Sequence, residues 1–115
     1  MLLSAALIAG TGAVAQTAEP TYKGDPDVYK VIFEDANFRV IEANRKKGVH
    51  DKVHSHPVPF LTYQVTDCKT KLYADGKTTE TDRKAGTVSA SPAIASHSAE
   101  NIGDGDCKQI FFEKK

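Results

Sequence analysis

Two histidines one residue apart, His54 and His56, lie in the stretch Gly48-Val49-His50-Asp51-Lys52-Val53-His54-Ser55-His56-Pro57. In extended chain, side chains alternate with period two, so both imidazoles project to one face. A third histidine, His97, follows between Pro92 and Asn101. If the fold brings His97 opposite the pair, three neutral imidazoles converge. Such a donor set suits a divalent transition metal, and iron, manganese, nickel, copper and zinc all fit it. His50, four residues before His54, is expected at the surface, the alternative being a place on the face of His54.

Other chemistries find less support. No Ser-His-Asp or Cys-His constellation stands out, and the one acid in the long strand beside the site is Glu42. A glycosidase-type carboxylate pair is therefore unsupported. Tyr63 and Gln64 follow the histidine pair closely. If Leu61 points inward, Tyr63 and Val65 do too, and the Tyr63 hydroxyl becomes a candidate proton donor to a bound ligand. If Phe60 points inward instead, Gln64 does. With fifteen basic and fifteen acidic residues, no charged field argues for nucleic acid.

The elements that must carry these residues read as strands. Tyr29–Glu34 and Phe38–Arg45 flank a turn at 35–37, Phe60–Thr66 follows Pro57 and Pro59, and Asp75-Gly76 joins Lys69–Ala74 to Lys77–Asp82 as a tight hairpin. Thr87–Ser91, Ser96–Ile102 and Cys107–Glu113 complete about eight short strands. At 115 residues this is one all-β domain, a sandwich or barrel.

Residues 1–15 form an apolar run ending in Ala13-Val14-Ala15, the small-x-small pattern of a signal-peptidase site. Gln16 is then the mature N-terminus and the protein is periplasmic or secreted, with no membrane attachment after cleavage. Residues 16–28, with Pro20, Gly24 and Pro26, read as a loose leader, and 29–115 as the folded domain. Export permits a disulfide between Cys68 and Cys107, the only two cysteines. It would close a loop of 39 residues. The chain-entropy estimate values such a loop at roughly 4 kcal/mol.

At these residues the sequence resembles the cupin family. Gly48, five residues, then His54-Ser55-His56 follows the first cupin motif; Gly86, Pro92, His97 and Asn101 follow the second, with Ile94 in place of its inner Gly. The resemblance covers about residues 29–113 and implies a double-stranded β-helix, a jelly-roll barrel. It implies His54, His56 and His97 as metal ligands and a pocket lined by Leu61, Tyr63 or Gln64, and Ile94. It also withdraws the fourth ligand: the family's Glu falls at Phe60 or Leu61, as in thiol dioxygenases, which likewise lack it. Asn101 is expected to fix a local turn. Small cupins commonly pair, so a homodimer is expected as well.

The function expected is metal-dependent chemistry on a small molecule, with oxygen-dependent oxidation at non-haem iron its most concrete form. The rivals are a non-catalytic module that captures a small molecule or metal, and a metal-free isomerase using one histidine as base and Tyr63 as acid.

Overall fold

The structure is a computed structural model that describes residues 17–115. The apolar run over 1–15, expected to be a signal peptide, lies outside the described residues. One helical turn, α1 (Thr21–Gly24), precedes nine strands: β1 (Tyr29–Glu34), β2 (Phe38–Arg45), β3 (His54–His56), β4 (Phe60–Gln64), β5 (Cys68–Ala74), β6 (Lys77–Arg83), β7 (Val88–Ser91), β8 (Ile94–Asn101) and β9 (Cys107–Lys114). They form a five-stranded sheet, β1-β2-β9-β4-β7, packed on a four-stranded sheet, β3-β8-β5-β6. The strand pairs are antiparallel throughout.

The turns obey local chemistry. Asp75 and Gly76 both take positive φ, 54° and 73°, the type I′ geometry that matches the twist of a two-residue hairpin. Asp35 Oδ1 accepts the backbone N–H groups of Asn37 and Phe38, each at 2.8 Å, and so closes the β1–β2 turn.

The interior is small and only partly apolar. Val28, Tyr29, Ile41, Ala43, Phe60 and Phe111 form the hydrophobic cluster. Thr62, Gln64, Thr70 and Gln109 share the buried space with it. Such buried polar side chains must find partners, and Gln109 Nε2 donates to Gln64 Oε1 at 2.8 Å. Cys68 and Cys107 are bonded to each other and tie β5 to β9, one strand from each sheet.

The expectation of a loose leader over 16–28 is corrected for 17–28. Thr21 and Asp25 are buried, Ser55 N–H donates to Glu19 O at 2.7 Å, and Ala18 N–H donates to Ala95 O at 3.1 Å. Asp25 Oδ2 accepts the N–H of Lys52 at 2.9 Å. The segment lies along the free edge of β3 and holds it in place. All of these partners are 30 or more residues away in the chain or belong to the β3 approach, so composition alone could not announce them.

Candidate metal centre

β3 is only three residues long and all three are buried. Its neighbour β8 places His97 directly opposite His54, with a register shift before Ile94 opposes His56. That irregularity lets three imidazoles face one point. Their ring centroids lie 4.7–5.2 Å apart, and one nitrogen from each falls within 4.8 Å of the others. His56 Nε2 and His97 Nε2 stand 3.1 Å apart.

Each ring is held from behind. His54 Nδ1 donates to the backbone oxygen of Lys52 at 2.8 Å, which puts the lone pair on Nε2. That atom is buried and has no partner among the described residues. His56 stacks on Phe60 at 4.1 Å and meets Phe111 edge-on at 5.3 Å. Its Nδ1 is also unpartnered. Burial is the main cause that lowers the pKa of all three: His54 falls below the usual range, His56 goes to about 2 and His97 to about 4. Mutual repulsion adds to the effect at His56 and His97. The rings are therefore neutral at pH 7, with lone pairs to give.

This donor set fits a divalent transition metal. Two imidazole nitrogens, each about 2.1 Å from one ion and at a right angle, stand about 3 Å apart, near the His56–His97 separation. The buried, unpartnered Nε2 of His54 is what a ligand awaiting an ion looks like, and its Nδ1–carbonyl bond is the usual outer support.

Behind His54 lies a network that the sequence reading did not identify. Asp51 Oδ2 accepts from the Tyr29 hydroxyl and, at 3.2 Å, from Arg45 Nε. Arg45 Nη2 also donates to the Tyr29 oxygen at 2.9 Å, and Asp51 Oδ1 accepts the Ala99 N–H at 2.7 Å. Burial, more than any other cause, raises the Tyr29 pKa far above the ordinary phenol range, so the hydroxyl keeps its proton. One signal was available: Ile41, Ala43 and Arg45 share a strand parity, so an arginine continues a buried row. The acid beside the site is thus Asp51, and Glu42 lies on the opposite parity of β2.

A cavity of about 200 Å3 runs from the histidines between the sheets, past Phe60, Thr62, Ile94 and Gln109, to Arg83, Ser89 and Ser91. Its walls include Tyr29 and Arg45 but no Asp or Glu. Ile94 lines it, as expected. Leu61 and Tyr63 do not: they are 47% and 40% exposed on the outer face of the five-stranded sheet, which corrects Tyr63 as a catalytic donor and Leu61 as a pocket residue. Gln64 is buried on the inward parity but bonds Gln109 and stays outside the cavity wall. The reason is parity. Two prolines precede β4, a one-residue slip exchanges its faces, and Phe60 takes the inward position. Phe60, one of the two positions at which the sequence resemblance puts the family's Glu, thus stacks its ring on His56, and no fourth His, Cys, Asp or Glu joins the three histidines among the described residues.

His50 stacks on Tyr73 at 4.5 Å, with Nε2 2.9 Å from Ser98 Oγ, away from the three-histidine cluster. Asn101 fixes the β8–β9 turn: its Nδ2 donates to Arg45 O and Gly105 O, and its Oδ1 accepts Gly103 N–H at 3.0 Å.

No protein-family model and no curated protein matches the chain. Solved structures do. A cupin domain from Bordetella pertussis Tohama I superposes with a TM-score of 0.72 at 18% identity, over 84% of this chain and 96% of that one. An RmlC-like cupin with a double-stranded β-helix fold, from Methanocaldococcus jannaschii, gives 0.61 at 11% identity over 76% and 78%. A variant of oxalate decarboxylase from Bacillus subtilis gives 0.55 at 23% identity, over 69% of this chain but 22% of that longer one. Topology, histidine geometry and these superpositions together identify the fold as the cupin fold, an all-β double-stranded β-helix.

Proposed function

We propose that this chain is an exported small cupin that binds one divalent transition metal through His54, His56 and His97 and acts with it on a small molecule in the adjoining cavity. The convergence of three neutral imidazoles, His54 and His56 buried and His97 half-buried, at one end of that cavity carries the reading. When bound, the metal supplies Lewis acidity and, if it is iron, the means for oxygen-dependent oxidation. The chain's own residues do the rest. Lys52 O holds the His54 tautomer, Phe60 and Phe111 wall His56 from water, and burial, helped by the Asp51 acceptor and opposed by Arg45, keeps the Tyr29 hydroxyl protonated at the cavity wall.

The test is elemental analysis of the mature protein, prepared without chelator or tag histidines, beside His97→Ala. Near-stoichiometric metal that is lost in the variant supports the reading; no metal in either, even after reconstitution, overturns it. Oxygen uptake by iron-loaded protein with thiol and phenolic candidates then tests the oxidase form.

A second reading, a non-catalytic binding module, is favoured by one observation: the cavity wall holds no carboxylate for proton transfer. Absence of turnover by the metal-loaded protein, with retained ligand binding, selects it. The metal-free isomerase loses its proposed acid, because Tyr63 faces outward.

Export is supported by the Cys68–Cys107 bond and the apolar run over 1–15. A homodimer through the outer face of the five-stranded sheet is supported by a row of neighbours, Phe33, Val40, Phe112 and Leu61, of which all but Val40 are over 40% exposed. Sedimentation of wild type against Phe112→Glu checks it, with a monomeric wild type as the contrary result.

A further inference from the structure

We propose that the cavity takes a small carboxylate, held at its open edge by Arg83; this rests on reading the cavity as a ligand site. The edge lies between β6 and β7, each the last strand of its own sheet. Arg83 opposes buried Cys68 across the β5–β6 ladder, and Thr81 opposes buried Thr70, so both belong to the inward parity of β6. Across the gap, Ser89 pairs with Thr62 and Ser91 with Phe60, the inward residues of β4. An exposed guanidinium and three half-buried hydroxyl residues thus rim one opening.

Charge balance points to the ligand's sign. The wall holds two guanidiniums and no carboxylate. Asp51 neutralises Arg45 at the closed end. Arg83 makes no ion pair among the described residues, and its neighbour Asp82 lies 3.7 Å from Lys84 Nζ instead. An unpaired planar fork fits a single carboxylate in bidentate fashion, with the Thr81 and Ser89 hydroxyls as further donors, while that of Ser91 donates to Pro92 O at 3.0 Å. A phosphate dianion would ask for more positive charge than one exposed arginine offers. Placement agrees with solvation. The ligand's charge would rest where water still reaches, and its uncharged part would lie along Phe60 toward the histidines, where burying a charge is costly.

The test uses the mature protein stripped of metal, so that no ion can hold the anion. Propionate, benzoate and phenylacetate are each titrated against the matching primary amide and against inorganic phosphate, by NMR or calorimetry, in wild type and Arg83→Gln. The expected result is that at least one acid binds about tenfold or more tighter than its amide, and that Arg83→Gln abolishes the preference. Arg83→Gln should also load metal like wild type, while His97→Ala keeps the acid preference. The metal reading and this one therefore fail separately. Equal binding of acid and amide, no binding of any acid, tighter binding of phosphate, or a preference that survives in Arg83→Gln each overturns the proposal.

Discussion

The two ends of the cavity handle positive charge in opposite ways. At the closed end, Arg45 is 3% exposed and its donors meet Asp51, Tyr29 and Cys107 Sγ. At the open edge, Arg83 is exposed and meets no acid among the described residues. A guanidinium taken out of water must have its partners built into the fold, because an uncompensated buried charge costs several kcal/mol. One left in water needs none, and remains available to something that arrives later. The closed end is therefore architecture packed behind His54, with the Tyr29 ring 5.0 Å from the imidazole and Asp51 Oδ1 3.8 Å from its Nδ1, and the open edge is the part free to select a ligand.

Mutation should expose the contrast. Asp51→Ala strips Arg45 and Tyr29 of their acceptor and is expected to cost about 3–5 kcal/mol in urea unfolding, whereas Arg83→Ala should stay within about 0.5 kcal/mol of wild type. Equal costs would erase the distinction. Replacing both cysteines with serine should lower stability by roughly 4 kcal/mol or less, read as a drop in denaturation midpoint that reductant reproduces in wild type.

Inside and outside of β4 offer a sharper version of the same comparison. Phe60→Ala removes a buried ring that supports His56 and should cost about 3 kcal/mol. Leu61→Ala and Tyr63→Ala, on the outward parity of the same strand, should each cost less than half as much when unfolding is read at concentrations that keep the protein monomeric, with metal content intact. Reversed sizes would mean that the strand presents its other face.

The smallest effect concerns surface charge. Hydrogen bonds from Lys115 and then Arg39 lower the Glu34 pKa from 4.5 to about 2. A lowered carboxyl stabilises the fold above its ordinary value and loses that contribution as pH falls from about 4.5 toward 2. Being exposed, the pair adds little to stability. An NMR titration of Glu34 should show the low value, and Lys115→Ala should raise it.

What the residues announced, and what they did not, divides along a physical line. Strand positions were legible because alternation and turn chemistry are local: β1 and β2 match their expected bounds, and Asp75-Gly76 turns as such a pair does. The three histidines were legible because ligand chemistry restricts residue type, and the cysteine bond because no other pairing existed. Tertiary structure decided the rest. Which face of β4 looks inward depended on how the chain leaves Pro57 and Pro59, and a one-residue difference put Tyr63 outside and Phe60 against His56. The leader's order came from β3 and β8 backbone groups far along the chain. Tyr29, Arg45 and Asp51 are 6 to 22 residues apart, and only a closed barrel makes them one network. Residue type and spacing set what each segment can do locally; which distant groups it meets is settled when two sheets close over a shared interior.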